Sequence, residues 1–228
     1  MRLARIAYGV LTVAAAGSLP VGGALAANDS PWMVRARVVG VLPDVSADVS
    51  PIGGDIEIDD TVVPELDFTY FFAKNWAAEL ILATTPHDVS HTPTGLDLGS
   101  VWLLPPTLTV QYHFAPDSGS FRPYVGAGVN YTIFYNVDEP AGLNVDYDNS
   151  FGFALQAGVD FPVGGGWAIN ADVKKIFLST DATITGVATA DVDIDPWVVG
   201  LGAGYRYDVI IEDASVHLTG GTSGVGLE

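Results

Sequence analysis

The sequence predicts an all-β protein, an eight-stranded antiparallel transmembrane β-barrel of up-and-down topology with short periplasmic turns and long external loops. Three observations point there. Eight segments alternate apolar and polar residues with period two, as strands do. Short and long connections alternate between those segments, the pattern of outer-membrane barrels. The chain also opens with the layout of a secretory signal peptide, which marks it for export.

Arg2 and Arg5 form the basic start of that leader, Ile6 to Leu19 is apolar or small, and Ala24-Leu25-Ala26 is a small-x-small cleavage site. Residues 1–26 are therefore expected to be removed. An uncleaved anchor is disfavoured, because Pro20, Gly22 and Gly23 interrupt the apolar run before the ~20 residues a spanning helix needs. The full chain carries 9 Lys and Arg against 27 Asp and Glu, and losing Arg2 and Arg5 moves the net charge from −18 to −20. Binding to a phosphate backbone needs a basic face, so no nucleic-acid partner is expected. Cysteine is absent, which excludes a disulfide framework and a thiolate metal site. Yet 49% of the chain is hydrophobic. No segment after the leader is apolar for ~20 residues, and in lipid only helices and closed barrels pair all their backbone groups. A membrane location thus implies a barrel.

The predicted strands follow in order. In Trp32 to Leu42, Trp32, Val34, Ala36, Val38 and Leu42 share a face opposite Arg35 and Arg37. In Val63 to Ala73, Leu66, Phe68, Tyr70 and Phe72 oppose Glu65, Asp67 and Thr69. Trp76 to Thr84 sets Trp76, Ala78, Leu80 and Leu82 against Glu79. Thr107 to Phe114 sets Leu108, Val110, Tyr112 and Phe114 against Thr109, Gln111 and His113. Arg122 to Tyr135 sets Val125, Ala127, Val129, Tyr131 and Ile133 against Gly126, Gly128, Asn130 and Thr132. Ser150 to Phe161 sets Phe151, Phe153, Leu155, Ala157, Val159 and Phe161 against Gln156, Gly158 and Asp160. Trp167 to Lys175 sets Trp167, Ile169, Ala171 and Val173 against Asn170, Asp172 and Lys174. Asp195 to Tyr207 sets Trp197, Val199, Leu201, Ala203, Tyr205 and Tyr207 against Gly200, Gly202, Gly204 and Arg206. Short turns are expected at 74–75, 115–121 and 162–166, and long external loops near 43–62, 85–106, 136–149 and 176–194. The barrel domain spans 27–207, followed by a C-terminal extension, 208–228.

A soluble lipocalin-like barrel alternates too, with its apolar face turned inward around a ligand. Three features favour lipid outside. Aromatics sit near the ends of the apolar faces, as an interfacial girdle does: Trp32, Phe72, Trp76, Tyr112, Phe114, Tyr131, Tyr135, Phe161, Trp167, Trp197, Tyr205 and Tyr207. The opposite face holds glycine and charges, as a narrow polar lumen would. The last strand ends aromatic-x-aromatic, resembling the signal read by outer-membrane assembly machinery.

By strand phase the lumen-lining candidates are Arg35, Arg37, Glu65, Asp67, Glu79, Gln111, His113, Arg122, Asp160, Asp172, Lys174 and Arg206. Charges inside a barrel must be paired or wet, so most are expected as ion pairs that narrow the lumen and a few as selectivity groups. No catalytic constellation is present: there is no G-x-S-x-G elbow, and Gly164-Gly165-Gly166 is a turn, not a phosphate loop. The chain is not expected to be an enzyme or to hold a cofactor. His87 and His91 share a loop with Asp88, but without a third strong ligand no metal site is predicted. Two acidic ladders, Asp55-Glu57-Asp59 and Asp191-Asp193-Asp195, read as a solvated loop rim, with divalent-cation binding as the alternative.

The stretches KNWAAELILATTPHDVS (74–90), LLPPTLTVQYHF (103–114), FRPYVGAGVNYTIFYN (121–136), ALQAGVD (154–160), WAINADVKKIFLSTDATI (167–184) and IDPWVVGLGAGYRY (194–207) resemble the outer membrane protein W (OmpW) family in its own order. They cover strands two to eight; the first external loop is the least family-like part. The resemblance implies a Gram-negative outer-membrane barrel with a largely hydrophobic passage for small hydrophobic molecules, and in some members a receptor for bacteriocins or phage. The expected function is a narrow passive channel for such molecules. Its rival is a non-conducting surface barrel whose loops bind a partner or lipid. Expected partners are outer-membrane lipid and lipopolysaccharide, the assembly machinery and small hydrophobic solutes, with the chain a monomer. Family members end at the aromatic matching Tyr207. Here residues 208–228 follow, and their Gly/Ser/Thr-rich end reads as a flexible periplasmic tail.

Overall fold

The computed structural model describes residues 30–212 and 215–220, apart from positions 52, 93, 141, 143 and 187, with side chains described through Tyr207. The leader lies outside the described residues. Sixteen strands follow: β1 (Trp32–Leu42), β2 (Ser46–Ser50), β3 (Asp55–Ile58), β4 (Thr61–Ala73), β5 (Trp76–Ala83), β6 (Thr85–Thr92), β7 (Leu96–Leu104), β8 (Thr107–His113), β9 (Arg122–Asp138), β10 (Val145–Tyr147), β11 (Ser150–Gly164), β12 (Trp167–Phe177), β13 (Ser179–Ile184), β14 (Ala188–Asp193), β15 (Trp197–Glu212) and β16 (Ser215–Gly220).

Eight of these close a ring. Going round it, β1, β4, β5, β8, β9, β11, β12 and β15 pair antiparallel, and β15 returns to β1 with Trp32 opposite Tyr207 and Leu42 opposite Trp197. They are the eight segments whose alternation predicts strands, and closure leaves no barrel edge unpaired.

Which face points in is now decided. On β4, Glu65, Asp67 and Thr69 are buried, whereas Leu66 is exposed. Phe153 is 69% and Leu201 62% exposed, while Arg35, Asp67 and Glu79 are 0%. The polar face lines the lumen and the apolar face forms the outer wall, the reverse of a lipocalin and the arrangement lipid requires. Girdle rings pair across strands at the periplasmic end: Trp32 with Tyr70 at 4.6 Å, Trp76 with Tyr112 at 5.0 Å and Trp167 with Tyr205 at 4.8 Å between centroids.

Periplasmic connections are tight. Gly164, Gly165 and Gly166 all have positive φ, at 96°, 60° and 83°, which a run of other residues would adopt only with strain. Glycine is needed for a second reason at Gly128 and Gly202. A Cβ on Gly202 would lie 2.1 Å from the Ala36 carbonyl oxygen and 2.6 Å from Arg37 Cα, and one on Gly128 2.0 Å from the Leu108 carbonyl oxygen. Backbone on the neighbouring strand cannot step aside. Gly202→Ala should therefore destabilise the barrel by about 1–3 kcal/mol, the range of overpacked sites, while Gly40→Ala, which meets nothing within 4 Å, should be near neutral. Guanidinium unfolding of both variants in lipid vesicles checks the contrast; equal behaviour would contradict it.

The long external connections expected from the sequence carry strands of their own. Instead of irregular loops, 43–62, 85–106, 136–149 and 176–194 form strands that raise the barrel wall beyond the membrane. β3, β6 and β7 extend the barrel sheet from β9, and β10, β13, β14 and β2 form a second sheet. The reason is visible in β14, where Ala188, Ala190 and Val192 are buried between exposed Thr189, Asp191 and Asp193. This is strand alternation that the acidic residues disguise as a solvated loop. The stretch beyond Tyr207, expected as a flexible tail, begins as strand: β15 runs on to Glu212 and β16 pairs back on it, Tyr207 opposite Gly220. Its Asp-Val-Ile-Ile-Glu start is strand-competent.

Candidate functional site

The barrel interior has two storeys. The lower is a network of buried charges. Arg35 on β1 stands opposite Asp67 on β4, and Arg37 opposite Glu65, so cross-strand register alone brings opposite charges together. Arg35 holds Asp160 through two bonds, Nε to Oδ1 at 3.2 Å and Nη2 to Oδ2 at 2.9 Å. Its Nη1 donates to Thr69 Oγ1 at 2.7 Å and to Asp67 and Glu79, each at 3.2 Å. Arg37 donates to Glu65 at 2.7 Å and Glu79 at 2.9 Å. Its Nη2 also lies 2.7 Å from Asp67 Oδ2 as an ion pair. Lys174 gives its protons to both Glu65 oxygens, at 2.8 and 3.0 Å, and to Asp172 at 3.0 Å. Gln111 and Gln156 bridge Glu79 to Asp172. Glycines make the room: a Cβ on Gly204 would meet Arg35 Cγ at 2.9 Å, and one on Gly200 would meet Asp172 Oδ1 at 2.9 Å.

Toward the periplasm, His113 stacks on Tyr124 at 5.1 Å and lies tilted against Phe71 at 4.9 Å, and the Arg206 guanidinium covers Phe71 at 3.9 Å. Arg122 is only half-buried and donates to the Ser118 carbonyl at the periplasmic turn. Ten of the twelve lumen candidates are thus buried inside, and Arg122 and Arg206 stand at the lower mouth. Phase also places Tyr124 and Asn170 inward. Tyr124 is fully buried, with its ring over Gly158 and its hydroxyl accepting from Asn170.

Above this floor, the raised wall encloses a chamber. Its lining is mainly aliphatic: Val39 and Val41 from β1, Ile81 from β5, Leu98 and Val101 from β7, and Ile176, Ile184 and Val192 opposite. The Glu65–Lys174 pair, Thr107 and Thr132 lie along its base. The sequence reading did not place this chamber, because most of its lining residues fall in segments read as loops. The missed signal was the alternation of small apolar residues within them.

The acidic ladders lie on the outside of these walls. Asp55, Glu57, Asp59, Asp191 and Asp193 are exposed, and Asp55 Oδ1 accepts from the Ala47 and Ile56 amides. Among the described residues no group of three or more His, Asp and Glu is arranged to hold a metal ion. His87 and His91 are buried and turn to backbone carbonyls instead: His87 Nδ1 to Asp59 at 2.9 Å and His91 Nε2 to Gly53 at 2.8 Å.

Burial holds the His87 imidazole below the ordinary histidine range, against the opposing pull of Asp59. Burial likewise pushes the Tyr147 phenol up to about 12. With His87 depressed in the folded protein, an unfolded wall takes up a proton below about pH 6.5 that the folded wall refuses. The stability fully present above that pH is therefore lost as pH falls through it. Denaturant unfolding at pH 8 and pH 5 should show the loss, and His87→Gln should reduce the difference; an unchanged difference would contradict this origin.

A closed eight-stranded ring with an apolar outer wall, aromatic girdles and a charge-filled lumen defines an outer-membrane β-barrel. The chain belongs to the OmpW family, whose model matches residues 29–207. It is 47% identical to the outer-membrane protein y4mB of Sinorhizobium fredii, over 82% of this chain and 85% of that one. It is 34% identical to outer membrane protein W of Vibrio cholerae, over 87% and 97%. Among solved structures it superimposes on the outer membrane protein OprG of Pseudomonas aeruginosa with a TM-score of 0.73, at 31% identity, covering 79% of this chain and 97% of that one. These relatives place the protein in the outer membrane of a Gram-negative bacterium, among barrel proteins that are not known enzymes.

Proposed function

We propose that the protein is a narrow passive route across the outer membrane for small hydrophobic molecules. The observation that carries this reading is an apolar chamber, open outward, standing on a floor of buried ion pairs. A floor bonded from wall to wall opposes axial passage, so an apolar solute that enters from outside leaves sideways into the bilayer. The chamber wall has a place for that. The β5–β8 ladder ends at Ile81 opposite Thr107, and the β6–β7 ladder begins at Thr85 opposite Leu103. The two ladders share one register at this junction, and pairing lapses between them over Leu82–Thr84 and Leu104–Pro106. Pro105 and Pro106 have no N–H to give, while their carbonyls accept from Asn130 and Tyr131 on the far side. Ala83 and Pro105 line the chamber at this gap.

Two measurements on the refolded protein test the reading. In planar bilayers it should pass little ionic current, whereas in vesicles it should speed the transfer of an apolar fluorophore. Restoring donors with Pro105→Val and Pro106→Val together should slow that transfer and leave chamber binding intact. Transfer no faster than through bare lipid would overturn the proposal and turn attention to the rival, a surface barrel whose external strands bind a partner. On either reading the girdles contact outer-membrane lipid and lipopolysaccharide, and the closed ring supports a monomer.

A further inference from the structure

The chamber is apolar but not featureless, and a few polar groups stand in its lining. Several donors along its lining are committed elsewhere, and the Thr85 and Tyr147 hydroxyls, which also line it, can donate or accept. Lys174 spends its three protons on Glu65 and Asp172. Thr107, Thr132 and Thr180 donate to the Pro105 carbonyl, Asn130 Oδ1 and the Asp148 carbonyl. His87 is the exception in kind. It lines the chamber at 5% exposure, and its Nδ1 bonds the Asp59 carbonyl. A carbonyl only accepts, so Nδ1 carries the proton and Nε2 of the neutral ring is left with a lone pair. Nε2 has no protein partner among the described residues.

The field around the chamber has the same sign. The segments above the membrane, 43–60, 84–106, 135–149 and 175–196, hold 16 Asp and Glu against a single base, Lys175. Lys175 itself is bound to Asp44 and the Asp195 carbonyl. A wall carrying one sign of charge repels like-charged solutes and lowers their local concentration. Entry of a carboxylate is opposed by that field, and desolvating its charge in a mainly aliphatic chamber with no free cation among the described lining residues is costly.

We propose that the chamber selects apolar molecules carrying a hydrogen-bond donor, a hydroxyl or an amine, which bonds His87 Nε2, and rejects carboxylates of the same size. This assignment rests on the reading of the chamber as the solute site, and makes His87 its specificity-determining residue.

Three probes with one ring system separate the two ideas: naphthalene, 2-naphthol and 2-naphthoate, titrated at pH 7.5 into the full protein in lipid nanodiscs. One net hydrogen bond should make 2-naphthol bind about threefold to tenfold tighter than naphthalene, with 2-naphthoate the weakest of the three. In His87→Leu the advantage of naphthol over naphthalene should vanish. A second measurement needs no variant: the unprotonated ring-nitrogen NMR signal of His87 should move with 2-naphthol and stay with naphthalene. Naphthalene binding as tightly as 2-naphthol would overturn the donor preference and leave the apolar chamber standing. An advantage that survives in His87→Leu, or a still His87 signal, would overturn the assignment to His87. Failure of all three probes to bind would sink the chamber as the solute site and this inference with it.

Discussion

Arg37→Met should be among the most damaging single changes in this barrel, lowering its unfolding free energy by about 3–5 kcal/mol, the range for removing one partner of a buried ion pair. Arg37 is 2% exposed and lies within ion-pair distance of Glu65, Asp67, Glu79 and Asp172. Methionine keeps much of the side-chain volume but leaves those carboxylates facing one another with Lys174 and Arg35 as their remaining cations. The cost is thus the uncompensated charge, not a cavity. A companion variant separates the two: Arg37→Met combined with Glu65→Gln should recover part of the loss, because it removes one of the orphaned charges. Urea or guanidinium titration of the protein refolded in lipid vesicles reads both. If Arg37→Met unfolds at the wild-type midpoint, the network is not what stabilises the lumen, and the floor of the proposed route loses its rigidity argument.

Filling the chamber should remove solute binding without unfolding the barrel. Ala182 on β13 and Ala190 on β14 face each other across a ladder, and both line the chamber. Tryptophan at both positions would project two indoles into unfilled space. Displacing a bound apolar molecule from about 60 Å² of wall forfeits about 1.5 kcal/mol, or roughly tenfold in affinity. The double variant should therefore bind and transfer an apolar fluorophore about tenfold less well, while its denaturation midpoint stays close to wild type. The substitutions lie beyond the barrel ring, so assembly of the eight strands is spared. Transfer at the wild-type rate would show that solutes bypass the chamber, whatever route they take.

The strand alternation that reveals the barrel also reveals which residues share a face. Glu65, Asp67 and Thr69 fall together because a pleated strand has no choice in the matter. The aromatic ends of the apolar faces tell which face meets lipid, and the structure agrees at Trp76, Phe114 and Trp167, all exposed. The external segments were harder to read. Asp55-Ile56-Glu57-Ile58 alternates as cleanly as a membrane strand, but its charges suit a loop equally well, and four residues carry little periodic signal. Only pairing with β6, which sets Ile56 against His91, turns it into wall and buries Ile56 inside. His87 shows the same limit: composition sets it in one segment with Asp88 and His91, whereas its Nδ1 bonds a carbonyl 28 positions away.

The sequence by itself determines the eight membrane strands, which residues share each face and the acidic character of the external segments. These depend on period-two patterning and composition, which are local. Tertiary structure alone decides that the lumen splits into a charged floor and an apolar chamber, and that the prolines at 105 and 106 open a lapse in the chamber wall. The physical reason is long-range register. Arg35 finds Asp160 across 125 positions and Lys174 finds Glu65 across 109, and such meetings are set by how the ring closes, not by any neighbour along the chain.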